Sequence, residues 1–384
     1  MSLAADATLA RALQAFGGAG GVGGAGGTRY ASLQALRGVA ALMVVLYHLG
    51  LHISQPKYFD IAAFAVPFSF GHAGVEFFFV LSGFIITRAH RGDLFKPAAL
   101  PAYLLKRFFR IYPAYWVVFV VVYAGALAMG NQSETLPQSA AVLLKSLLLL
   151  PQDPAVVGGT GAPVIWVAWT LQYEMYFYLW GALAIAGRAW LLGCALVLAV
   201  LAAFCEGGCG FLLAFATSGF LLHFLAGTVV ALVAERLSVT RRAASALAAA
   251  GGLLFAVAAV SEVVGTALFG SLFGGAAYTA GAALMVLGAV KLEDAGLVLG
   301  SARWLQRLGD ASYSLYLVHQ PVMSLLCRVA IAAGLAGSAG AALAWCLLFA
   351  ACIGVGIALH VAVERPVLRR CAALLKRRPG NSPR

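Results

Sequence analysis

The sequence predicts an all-α protein, a polytopic bundle of transmembrane helices, on three observations. Hydrophobic residues make up 62% of the 384 positions and charged residues only 10%, where a soluble domain is about 25% charged. Mean hydropathy is +0.92. About ten apolar segments are long enough to cross a hydrocarbon core roughly 30 Å thick.

Those segments lie near 36–54, 70–88, 108–129, 166–187, 189–206, 211–234, 243–261, 273–290, 312–332 and 340–363. Short polar stretches separate them, among them QPKYFD, ERLSVTRR and LEDAGLVLGSARWLQRLGD. The basic residues set the orientation. With both termini cytoplasmic, all but Lys57, Lys145 and Arg328 of the 26 lysines and arginines fall on the inner side, the bias that membrane insertion follows. The net charge of +12 therefore bears on topology. It does not indicate nucleic acid, because no basic stretch is interleaved with surface aromatics.

Three domains are expected. Residues 1–30 form a flexible tail, since the run GGAGGVGGAGG stands where a secretory signal would need an apolar core. Residues 31–370 form the transmembrane domain, and residues 371–384 a basic cytoplasmic tail. The segment AAVLLKSLLLL (140–150) is too short to span and is expected to lie on the outer interface or fold back into the bundle. Of seven cysteines, most sit in apolar runs as small hydrophobes. Cys205 and Cys209 read as two unpaired thiols rather than a disulfide, and nothing has metal-ligand spacing.

Polar residues inside the membrane are few, and each needs a reason. In LQALRGVAALMVVLYH (33–48), Arg37 and His48 are eleven residues apart. At about 100° and 1.5 Å per residue they share one helical face, with His48 about 16 Å deeper. Glu174, in WTLQYEMYFYLW, sits well inside a span, so a proton-handling carboxylate is weighed against a paired structural one. Glu76, in GVEFFFVLSGFIIT, sits near a span end, where a structural or interfacial role is as natural as a chemical one. Ser82 and Gly83 in that segment suit close helix packing. Arg107 and Arg110, in KRFFRIYPAYW, share a face at the cytoplasmic mouth. They read either as anchors above an aromatic belt of Tyr112, Tyr115 and Trp116 or, with Arg37, as a site for a polyanion.

LGDASYSLYLVHQPV (308–322) is expected to open a span capped by Asp310 or Ser312. Ser312, Tyr316 and His319 share one side, and Pro321 is expected to kink the helix just after His319. His52, His72, His90, His223 and His360 have no polar company in sequence, and no chemical role is expected for them.

Taken together and in order, these five segments resemble the acyltransferase 3 family of integral membrane acyltransferases, over residues 31 to 365. The resemblance is strongest to members that O-acetylate exopolysaccharide and lipopolysaccharide O-antigen. The family's arginine–ten residues–histidine signature falls on Arg37 and His48, its arginine pair on Arg107 and Arg110, and its glutamate in the aromatic helix on Glu174. Many relatives carry Asp where this chain has Glu76.

The resemblance implies a bacterial inner-membrane enzyme with no permanently bound cofactor. Acyl-CoA, expected to be acetyl-CoA, is the cytosolic donor. A hydroxyl of a cell-surface polysaccharide or its lipid-linked precursor is the acceptor, with a small secondary metabolite as the alternative. His48 is then the general base, Glu174 a catalytic carboxylate, and Arg37, Arg107 and Arg110 hold the donor's phosphates. Glu76, Tyr316 and His319 are further candidates. The competing class is a proton-coupled transporter with His48 and Glu174 as relay. It requires symmetric halves and paired broken helices, and no internal repeat is visible.

Overall fold

The computed structural model describes residues 30–130, 136–137, 139–203, 210–266 and 270–376. The Gly/Ala-rich tail, the pair Cys205 and Cys209, and residues 377–384 lie outside the described residues. The long helices are α1 (Ala31–Ile53), α2 (Gly74–His90), α3 (Leu100–Ala128), α4 (Trp169–Ala186), α5 (Arg188–Ala203) and α6 (Phe220–Arg236). They continue as α7 (Arg241–Val264), α8 (Gly270–Asp294), α9 (Arg303–Ala332), α10 (Gly337–Leu359) and α11 (Arg365–Lys376).

Among the described residues, eight helices are long and apolar enough to cross a membrane. The other two expected spans are also helical. α5 is short at 16 residues. α4 has 18 residues, about 27 Å, but Gln172, Glu174 and three tyrosines lower its hydropathy. A count of ten rests on these two.

The chain forms two compact units, one of residues 30–87 and 222–360, the other of 88–221 and the segment from 361 onward. In the first, α1 and α9 run parallel and very close. A side chain added at Gly309 would meet the Gln34 carbonyl at 2.0 Å, and one at Gly38 would press on Leu305 and Gly309. α2 and α6 are equally tight: a Cβ on Gly83 would lie 2.0 Å from the Phe224 carbonyl. Small residues permit this approach where lipid provides no hydrophobic drive between helices. α1 begins on a carboxylate cap. The Ala31 and Ser32 amides donate to the two oxygens of Glu293, each at 2.8 Å, which suits the positive end of a helix.

One sequence expectation changes in this unit. α9 starts at Arg303 with Ala302 as its unassisted cap, so Asp310 and Ser312 are interior rather than caps. The amphipathic turn around Trp304, Gln306 and Arg307 had the polarity of a loop and the period of a helix. Pro321, where a kink is expected, lies inside α9.

In the second unit, the 140–150 segment forms a short helix, Ala140–Leu147, capped by the Ser139 hydroxyl. It folds back onto the middle of α3. Tyr115, Trp116 and Tyr112 donate to the carbonyls of Ser146, Leu147 and Leu148 at 2.7, 2.8 and 2.8 Å. The three aromatics expected as an interface belt thus satisfy the carbonyls that every helix end leaves open.

Candidate active site

The parallel packing of α1 and α9 lines up three polar pairs. The Gln34 amide donates to Asp310 at 2.9 Å. Arg37 donates to the Ser312 hydroxyl at 3.0 Å. Farther along, His319 Nε2 lies 3.2 Å from His48 Nδ1. Arg37 and His48 therefore do share the face of α1 that meets α9.

The partners fix the protonation pattern of the two neutral rings. His319 Nδ1 is 2.7 Å from the Tyr316 carbonyl, and a carbonyl only accepts, so the proton sits on Nδ1 and Nε2 accepts. His48 Nδ1 must then be the donor, shared between His319 and the Val44 carbonyl at 3.0 Å. The lone pair of His48 is left on Nε2. His319 is fully buried and His48 partly so. A partly buried imidazole, oriented from behind and basic in front, has the arrangement of the histidine in a hydrolase triad, with a second imidazole and a carbonyl in the orienting role. Tyr316 contributes its carbonyl to this arrangement. Its ring packs 5.6 Å from the His319 ring.

Glu76 lies in the first turn of α2 and is 9% exposed. It belongs to a cluster that sequence reading missed. His72 Nδ1 is 3.6 Å from Glu76, while His72 Nε2 donates to both oxygens of Glu262, at 3.2 and 3.1 Å. The Tyr278 hydroxyl donates to Glu262 at 2.8 Å. His72 and Glu76 are four positions apart, but Glu262 and Tyr278 come from other parts of the chain, so helical spacing gives no signal for the cluster as a whole.

In the second unit, Arg107 donates to His90 Nε2 at 3.0 Å, and His90 Nδ1 donates to Asp93 at 2.8 Å. The Arg107 guanidinium also lies over the rings of Tyr103 and Tyr178, 5.6 and 5.4 Å from their centroids. The Tyr178 hydroxyl donates to Glu174, one helical turn away. Arg110 forms an ion pair of 2.6 Å with Glu364, which is 2% exposed and sits in a π-helical turn, His360–Glu364. His90, dismissed on sequence, is the residue that holds Arg107. No group of His, Cys, Asp or Glu among the described residues is placed to hold a metal ion.

An imidazole oriented in this way can remove a proton from a hydroxyl, and comparison with known proteins gives the family. The chain is 32% identical to the exopolysaccharide production protein ExoZ of Rhizobium meliloti (strain 1021), over 79% of this chain and 91% of that one. It is 28% identical to the acyltransferase MdmB of Streptomyces mycarofaciens, over 91% and 94% of the two chains. Protein 2 in the picA locus of Rhizobium radiobacter is 28% identical over 41% of this chain. No solved structure matches. The family model described as an acyltransferase domain matches residues 30–361, and the chain belongs to this acyltransferase 3 family of membrane proteins.

Proposed function

We propose that the protein is a membrane O-acyltransferase that moves an acetyl group from cytosolic acetyl-CoA to a hydroxyl of a cell-surface polysaccharide or its lipid-linked precursor. The observation that carries the chemistry is the His48–His319 pair, which leaves His48 Nε2 as a base. In the reaction, Nε2 takes the acceptor's hydroxyl proton as the oxygen attacks the thioester carbonyl. The C–S bond breaks, and the departing CoA thiolate takes the proton back from His48, so no net proton is consumed. Arg37, on the His48 face, is the first residue assigned to the donor's phosphates, with Arg107 and Arg110 alongside it in that role. Glu174 is the second catalytic candidate.

The polysaccharide acceptor is supported by the name of the exopolysaccharide production protein, which the chain matches over nearly all of that protein's length. The basic-residue bias supports cytoplasmic termini and so a cytosolic donor side, in a protein assigned to a bacterial inner membrane. One experiment tests transfer and sidedness together. Inverted membrane vesicles, cytoplasmic face outward, are supplied with acetyl-CoA labelled in the acetyl group. They should accumulate base-labile label on glycan, and right-side-out vesicles should not. Label only in right-side-out vesicles reverses the orientation. Label in neither, with glycan present, overturns the acyl-transfer reading.

A further inference from the structure

The polar seam of α1 continues past His48. The Tyr47 ring lies 5.0 Å from the His48 ring and 5.9 Å from the His72 ring, so one tyrosine separates the base from the Glu76–His72–Glu262–Tyr278 cluster. The cluster gathers where α1 and α7 end and α2 and α8 begin. That is the end of the unit away from Arg37.

Two features of the cluster call for a ligand. Glu262 lies in the last turn of α7, where a carboxylate opposes the helix dipole, and His72 and Tyr278 supply its donors. Glu76 has no such supply. Its Oε2 is buried without a hydrogen-bond partner, and its Oε1 faces His72 Nδ1 only at ion-pair range, 3.6 Å, beyond hydrogen-bond length. Yet the cluster is not sealed, because the His72 and Glu262 side chains are 40% and 33% exposed.

We propose that Glu76, His72, Glu262 and Tyr278 form the acceptor subsite, and that it takes an uncharged sugar by its hydroxyl groups. This rests on the acyl-transfer reading above. A sugar hydroxyl donates to the open Glu76 oxygen, a neighbouring hydroxyl donates to Glu262, and the Tyr47 ring gives the sugar an aromatic face. A hydroxyl of the same or the next sugar then reaches past Tyr47 to His48 Nε2. Two carboxylates around one imidazole disfavour an anionic sugar.

The test uses the full chain in lipid nanodiscs, with binding measured for methyl glucoside, methyl glucuronide and methyl glucosaminide, and separately for CoA. The glucoside should bind, and the glucuronide at least tenfold more weakly. Glu76→Gln and Glu262→Gln should each weaken glucoside binding about ten- to a hundredfold, the worth of a hydrogen bond to a charged group, and should narrow the gap to the glucuronide. CoA affinity should stay within twofold. Tyr278→Phe keeps the ring and loses one hydrogen bond, so it should show a smaller loss even if the glutamate variants fold poorly. Equal binding of glucoside and glucuronide overturns the proposal. So does no glucoside binding, undiminished glucoside binding in the folded variants, or a preference for the glucosaminide, which marks a cation site. Failure of CoA to bind while the glucoside result holds sinks the transfer reading and supports the subsite.

Discussion

In the unit built on α1 and α9, polar side chains meet partners from distant parts of the chain and keep one atom for something else. His48 keeps the Nε2 lone pair, and Glu76 keeps an oxygen with no donor. In the unit built on α3 and α4, the charged groups that the sequence singles out are matched inside the protein. Arg110 meets Glu364, Arg107 meets His90, and Glu174 meets Tyr178. Removing a member of a matched pair strands its partner in a medium of low dielectric, and the fold bears the loss. Removing a group that faces substrate leaves the fold and stops the chemistry. The same residue types thus answer to different measurements in the two units.

The sharpest break of that comparison is Arg110→Ala. It removes the ion pair with Glu364, which is 2% exposed. The expected loss is about 3–5 kcal/mol of stability, towards the lower end because the Arg110 side chain is 27% exposed. Adding Glu364→Gln should recover most of it. Chemical denaturation in nanodiscs reads both. Its proposed hold on donor phosphate predicts weakened CoA binding as well; unchanged CoA affinity in folded Arg110→Ala protein would leave Arg110 with the ion pair alone.

Arg107→Ala is milder. It removes one hydrogen bond to His90 and two ring contacts. If Arg107 also holds donor phosphate, each lost charged hydrogen bond is worth about 1.5–3 kcal/mol. CoA affinity, measured by equilibrium binding, should then fall about ten- to a hundredfold. Unchanged affinity in folded protein assigns Arg107 to structure alone. Smallest is Glu293→Ala, which removes the cap of α1 and should cost about 1 kcal/mol. Thermal unfolding should show that cost while turnover at low temperature stays near wild type. A large loss of turnover would mean that the register of α1 against α9, and with it the His48–His319 contact, depends on the cap.

Much of the first unit was legible because a helix has a fixed period. Eleven residues return to the same face, and Arg37 and His48 both find partners on α9. Gly83 was legible as a close-packing site for another reason: a residue without a side chain lets backbones approach. What helical spacing does not encode is which helices meet. His72 and Glu262 are 190 positions apart and Arg110 and Glu364 are 254 apart, so neither pair was foreseen. The contact of the aromatic trio with the backfolded helix was not foreseen, because tyrosine and tryptophan suit a lipid interface as well as a helix end. α4 escapes a hydropathy criterion because the polar residues that make it a candidate site also make it less apolar.

In the proposed reaction His48 is the base and His319 only orients it. His48→Gln keeps some hydrogen bonding but cannot take a proton, so single-turnover acetyl transfer by the folded variant should fall about 10²–10⁴-fold while CoA affinity stays within twofold. Retention of more than about a tenth of the wild-type rate, below the lower end of that range, would contradict the account and shift the base to His319.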